Sequence, residues 1–232
     1  NSPEDYKTIM DVLAAFVRNK SPLIRETGKK KQQMFQIATD IQSALTVIGR
    51  RYSKGDIQGQ PLNLMNTNLS GTFLNSANLK GGNFRGANLQ GAQLAGANLQ
   101  GAQLIGANLQ GAQLIGVNLQ HSNLKRVNME KAEVSGTNLH EADFEEANLK
   151  NASLWNSKLK GANFKRANLQ ETDFNGADFQ GVFLERANLK GANLEGVNLL
   201  SAYFDPATTQ INQSKLCRTI ISAGKVMNRD CK

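Results

Sequence analysis

Histidine, cysteine and tryptophan are scarce in this chain, and the scarcity excludes most chemistry. Two His (His121 and His140), two Cys (Cys217 and Cys231) and one Trp (Trp155) occur in 232 residues. Two cysteines fourteen places apart, without companion ligands, do not make a zinc site. The glycines recur by fives and match neither GxxxxGK[ST] nor GxGxxG in a strand-to-helix setting. Asp173 to Asp178 has the acids of a calcium loop, but Gly176 falls early and the closing Glu is missing. No nucleophile stands beside a base, so neither enzymatic activity nor a cofactor is expected. No run of eighteen apolar residues is present, which leaves no helix able to cross a membrane. A signal-peptide pattern is also missing. The chain begins at Asn1 without Met, which leaves open a native, processed or truncated terminus and a lost targeting segment.

What is present is a period of five. Residues 62–206 read as twenty-nine unbroken units, with centres at Leu64, Leu69, Leu74 and onward to Phe204. Twenty-one centres are Leu, six are Phe, and the others are Met129 and Val134. Two places before each centre stands a small residue: seventeen Ala, four Val, four Thr, two Ser, Gly82, and Leu62 at the entry. Between them, Asn fills seventeen units and Asp three. Neither apolar class carries a charge in any unit.

A helix repeats at 3.6, a strand at 2 and collagen at 3, so five fits none of them. It fits a coil whose wall turns a corner after every unit. The small and large apolar residues then face the axis and the other three face water. Four units make one turn of twenty residues, stacked on the next at roughly 4.8 Å. Gly, Asn and Ser at the fifth position of most units (Gly86, Gly91 and Gly96 among them) suit the corners. A helical solenoid is the structural rival, and it lacks a 3.6 pattern.

The stretch ANLQGAQLAGANLQGAQLIGANLQ resembles the pentapeptide-repeat proteins, with their A(D/N)LXX consensus. The resemblance implies an all-β solenoid: a right-handed quadrilateral β-helix of about seven coils, roughly 35 Å long. The chain then divides into an amino-terminal helical cap (1–60), the β-helix (61–206) and a carboxyl-terminal capping segment (207–232).

In the amino-terminal segment, Ser2-Pro3-Glu4-Asp5 opens a helix that should end near Lys20, ahead of Pro22. Tyr6, Ile9, Met10, Leu13, Phe16 and Val17 define its apolar face. Ser21 to Lys31 reads as a loop. A second helix is expected from about Gln32 to Ile48, burying Phe35, Ile37, Ala38, Ile41, Leu45 and Ile48 and stopped by Gly49. The pair reads as a cap over the open first coil, with a docking or dimerisation pair as the alternative. This arrangement resembles the segment preceding the repeats in cyanobacterial pentapeptide-repeat proteins. Some of those are membrane-anchored further upstream, which fits truncation.

After Pro206 the fivefold pattern stops. Leu216 to Ile221 and Lys225 to Met227 read as two strands around a turn at Ser222-Ala223-Gly224. Cys217 and Cys231 lie symmetrically about Gly224, so a disulfide is expected, stabilising by about 3 kcal/mol. It would favour an oxidising compartment, the periplasm or thylakoid lumen, over the cytoplasm.

The net charge of +8 is unevenly spread. Residues 1–60 carry ten Lys/Arg against six Asp/Glu, the repeat twelve against twelve, and residues 207–232 five against one. Some pentapeptide-repeat proteins inhibit DNA gyrase by imitating DNA with an acidic rod, and this neutral repeat departs from them. Lys29-Lys30-Lys31 and Arg50-Arg51 offer salt-sensitive contact to nucleic acid or anionic membrane. They lack interleaved aromatics, so nucleic acid is not the expected partner. Membrane contact would need these basic ends or a missing upstream segment.

The outer surface carries the candidate interaction residues. At twenty residues per turn, Lys125, Glu145, Lys165 and Glu185 stack with alternating sign, beside Arg126, Glu146 and Arg166. Opposite charges at cross-strand spacing favour one another and pin the register. Phe183 and Tyr203 stack on the same face. Between Gly86 and Gln120 no residue is charged. Its outward residues, among them Ala95, Ile105 and Ile115, suit a partner or mark recent duplication. Trp155 falls at an outward position, a residue type enriched in interfaces. His121 and His140 fall near one corner as surface histidines. The expected function is a protein-interaction or scaffolding module presenting rigid faces to a protein partner, with self-association open.

Overall fold

The computed structural model describes residues 3–23, 39–50, 61–205, 209, 211–222, 225–228 and 230–231. From Asn63 to Asp173 each residue preceding a core centre makes a parallel bridge to the residue twenty places on, as in Asn83↔Gln103 and Gln113↔Glu133, and Phe183 bridges Tyr203 in the same way. A two-residue turn recurs every five residues, giving four walls to a twenty-residue coil. We name the walls by the inward residues of one coil: Phe144, Leu149, Leu154 and Leu159.

The centres from Leu64 to Leu199 are all buried, and the small residues two places before them join the same core. The last unit is looser, with Ala202 and Phe204 only half-buried. Four Phe fill the widest layers: Phe144 and Phe164 stack at 4.8 Å, while Phe174 meets Phe164 and Phe179 edge-on. The hydroxyls among the small residues are satisfied inside. Thr72 donates to the Leu69 carbonyl at 2.8 Å and Thr137 to that of Leu114 at 2.9 Å.

The Asn of the repeat has a double duty. Its Oδ1 accepts from the backbone N–H two residues on, as from Gln110 to Asn108 at 3.2 Å, which sets the turn. Its Nδ2 donates to the Asn one coil earlier, running 168 to 148 to 128 to 108 to 88 to 68 at 3.0–3.2 Å. The corner residue after each turn has a left-handed φ, between +54° and +72°. Glycine takes fifteen of these corners, but Arg126, Glu146 and Arg166 hold the same conformation at 56°, 60° and 57°. Backbone bonds to the next coil, such as Arg126 N–H to Glu145 C=O at 2.9 Å, hold them there.

α1 (Pro3–Lys20) and α2 (Thr39–Gly49) cover the first coil. Val17, Ala14, Ile41, Leu45 and Ile48 are buried in the rod's core, and Met10, Leu13 and Phe16 pack against it. Ile9 does not belong to that face: it is 51% exposed, and Ala14 takes the buried place. Ser2, Phe35, Ile37, Ala38, Lys29 to Lys31 and Arg51 lie outside the described residues, as does the expected start of the second helix at Gln32. The first coil's open edge is satisfied group by group. Asn68 N–H donates to the Ser21 carbonyl, Asn78 N–H to that of Gly49, and Gln42 bonds both N–H and C=O of Phe73. Arg18 and the Ser21 hydroxyl donate to the carbonyls of Asn63 and Asn68.

At the carboxyl end the repeat motif stops but the ladder does not. Asn193 bridges Lys215 and Asn198 bridges Ile220, a step of twenty-two rather than twenty. A 3₁₀ turn at Ile211–Gln213 absorbs the extra residues. Ser214, Leu216 and Thr219 are buried where the repeat would place its own inward residues. Beyond this, β1 (Thr219–Ser222) pairs antiparallel with β2 (Lys225–Met227). β1 starts at Thr219, not Leu216: Lys215 and Cys217 bond to the coil beneath, while the N–H groups of Leu216 and Arg218 donate to the side chains of Asp230 and Asn228. The pairs Thr219↔Met227 and Ile220↔Val226 centre the hairpin one residue ahead of Gly224. Cys217 and Cys231 are therefore not ladder partners; they close a disulfide beyond its end, with Cα atoms 4.8 Å apart.

Candidate interaction surface

Three of every five residues face outward, so the site is a set of walls, not a pocket. On the Phe144 wall the charge series pairs coil to coil, except that Glu185 Oε2 is buried without a hydrogen-bond partner. Lys125 Nζ lies 2.8 Å from Glu145 Oε2 and 3.2 Å from Asp143 Oδ2, and Lys165 Nζ lies 3.2 Å from Glu185 Oε1. Glu146 is held from both sides, by Arg126 at 2.9 Å and Arg166 at 3.4 Å. The hydrogen bond from Lys125 lowers the Glu145 carboxyl below its ordinary value, and that from Arg126 lowers Glu146. The same bonds raise the two cations, Lys125 through Glu145 first and Arg126 through Glu146. Charges paired in this way hold one coil over the next.

Phe183 and Tyr203 stack at 4.7 Å on that wall, and Lys165 Nζ sits 5.0 Å from the Phe183 ring centre. Cation, ring and ring form a short column parallel to the rod axis. His121 and His140 have ring centres 6.2 Å apart, with His121 Nδ1 3.1 Å from Glu141 Oε2. Among the described residues no group of three or more His, Cys, Asp or Glu is arranged to hold a metal ion.

The sequence matches the Pentapeptide repeats family in eight copies, over residues 63–101, 107–146, 128–166, 147–186 and 167–204. The chain belongs to the pentapeptide-repeat family. HetL, a pentapeptide repeat protein involved in heterocyst differentiation regulation from the cyanobacterium Nostoc sp. strain PCC 7120, is 28% identical to it. That match covers 71% of this chain and 81% of HetL, with a TM-score of 0.29. Rfr23 from the cyanobacterium Cyanothece 51142 is 36% identical over 39% of this chain and 58% of its own, with a TM-score of 0.31. QnrB1, a plasmid-mediated fluoroquinolone resistance protein, is 17% identical over 58% of this chain and 81% of its own, with a TM-score of 0.27. No curated protein matches the chain.

As in the pentapeptide-repeat consensus, only the outward positions vary freely here, and they separate the walls. Trp155, on the Leu154 wall, is 52% exposed, as is Ile115 two coils before it. Beside Trp155 the wall carries Glu133, Ser135, Ser153 and Asp173. Ser135 donates to Glu133 and lies 2.9 Å from Ser153 Oγ. Asp173 accepts from Asn193 Nδ2 at 2.8 Å and Asn175 N–H at 3.0 Å. Glu133 went unremarked in the linear sequence and Asp173 stood out there only as part of an imperfect calcium loop; stacking by twenties brings them to either side of the tryptophan's coil.

Proposed function

We propose that this chain is a non-enzymatic protein-interaction module, presenting the walls of a rigid right-handed rod of about seven coils to a protein partner. Residues 61–206 are the rod, with 1–60 and 207–232 as end covers. The observation that carries this reading is the closure of both ends. The backbone groups of the first coil bond to Ser21, Gln42 and Gly49, and the last coil is covered by residues 211–220. Among the described residues both coil ends are thus covered, and the four side walls stay open to contact. The neutral repeat supplies no acidic field of the kind that imitating DNA requires. Lys125, Arg126, Glu145, Glu146, Lys165, Arg166, Trp155, Phe183 and Tyr203 are the wall residues on which contact is proposed. The disulfide suits a compartment where such bonds persist. Affinity capture from source-cell extract with the intact, oxidised chain should return a reproducible protein partner; repeated failure to do so would sink the reading.

A further inference from the structure

Counted by wall, the charges of the repeat are segregated. The Phe144 wall bears six Lys/Arg and five Asp/Glu, while the Leu149 and Leu159 walls bear three and two each. The Leu154 wall bears Glu133, Asp173 and Glu195 and none of the twelve cations. It also carries Trp155 and Ile115, both half-exposed, and Gly at most corners (Gly96, Gly116, Gly136, Gly176 and Gly196), so no long corner side chain shields it.

The pairing of the acids differs too. Glu145 and Glu146 on the Phe144 wall are matched by cations, and Glu195 is matched by Lys215 at 2.7 Å. Glu133 and Asp173 have no ion pair among the described residues; each is fixed only by neutral donors. They sit one coil above and one below Ser153, about 5 Å each way along the axis. An exposed indole is thus flanked by two oriented, unneutralised carboxylates, and the wall's cations, Lys215 (held by Glu195) and Arg218, lie two coils beyond Asp173.

Building on the interaction-module reading, we propose that the carboxyl half of the Leu154 wall docks a basic polypeptide segment. Trp155 takes an arginine side chain of that segment, and Glu133 and Asp173 accept its N–H groups. Indole faces attract guanidinium, whose planar fork pairs bidentately with a carboxylate, so Glu133 and Asp173 each take a separate basic side chain of the segment. Oppositely charged surfaces also steer the encounter. Nucleic acid and anionic lipid would meet the same carboxylates with repulsion.

Trp155 is the only tryptophan, so its fluorescence reads the wall directly. Hexa-arginine titrated into the oxidised full chain should change the emission saturably, and hexaglutamate should not. By calorimetry, Glu133→Gln with Asp173→Asn should weaken hexa-arginine by about fivefold, as should Trp155→Ala. Glu130→Gln with Glu171→Gln, on the Leu149 wall, should leave it within about twofold. All three positions are exposed or half-exposed, and matching circular dichroism confirms that the variants fold. Equal losses in both acid pairs, or no saturable change, overturn the assignment. A cellular partner captured equally well by the Trp155→Ala and Glu133→Gln/Asp173→Asn chains overturns it too, while leaving the module reading intact.

Discussion

The two ends of the rod are closed by different means. At the amino end separate helices bring side chains to the first coil, and Gln42 alone satisfies both backbone groups of Phe73. At the carboxyl end the chain continues the ladder with unrelated residues and then locks the tail through Cys217 and Cys231. One end thus depends on packed apolar surface and the other on backbone pairing plus a covalent link. An uncovered edge invites strand addition by another molecule, so both solutions answer the same hazard.

Truncating the amino-end packing should have the largest effect. Leu45 is fully buried between α2 and the rod, and Leu45→Ala should cost up to about 5 kcal/mol in urea unfolding. Hydrogen exchange should rise at Asn68 and Asn78 while residues 215–220 stay protected. Replacing both cysteines with Ser should reverse that pattern. The loss should be about 3 kcal/mol, with exchange rising at Thr219–Ser222 and the first coil unaffected. Equal responses at both ends in either variant would show that the ends are not independent.

Gln42→Ala is a subtler cut at the same edge. It leaves two backbone groups of Phe73 without their partner, and about 1 kcal/mol should be lost. Sedimentation would detect any accompanying end-to-end association. Acid should have the smallest effect, and it should act on the carboxyl end. Lys215 holds the Glu195 carboxyl below its ordinary value of 4.5. A depressed folded value means stability that is present above the unfolded value and is lost as pH falls through the folded one. Exchange at residues 215–217 should therefore rise below about pH 4.5, and Glu195→Gln should abolish that rise.

The rod was legible from sequence because every fifth side chain is constrained by the same crowded axis. Leu114 and Ala112 have no alternative environment, and their period alone gives the twenty-residue coil. The ends were less legible because they reuse the geometry without the signature. Ser214, Leu216 and Thr219 fill inward places, but the two residues absorbed near Ile211 break the spacing that would reveal them. The hairpin register escaped for a related reason, since the disulfide joins residues outside the ladder. Ile9 looked buried because helical spacing gives a face, not the length over which another surface meets it. On the walls, the charge series of Lys125, Glu145 and Lys165 could be read from the period. The bareness of the Leu154 wall could not be seen in linear order, where Glu133 and Asp173 stand forty residues apart.

The step of twenty between bridged residues also governs how such a rod can change its size. Duplication of four consecutive units lengthens it by one storey and leaves every column of side chains in line. Gain or loss of a single unit swings all that follows by a quarter turn, setting the tryptophan's column beside a neighbour of different charge. Growth is thus free in whole storeys and costly in fractions of them, and any partner that reads one wall enforces that arithmetic.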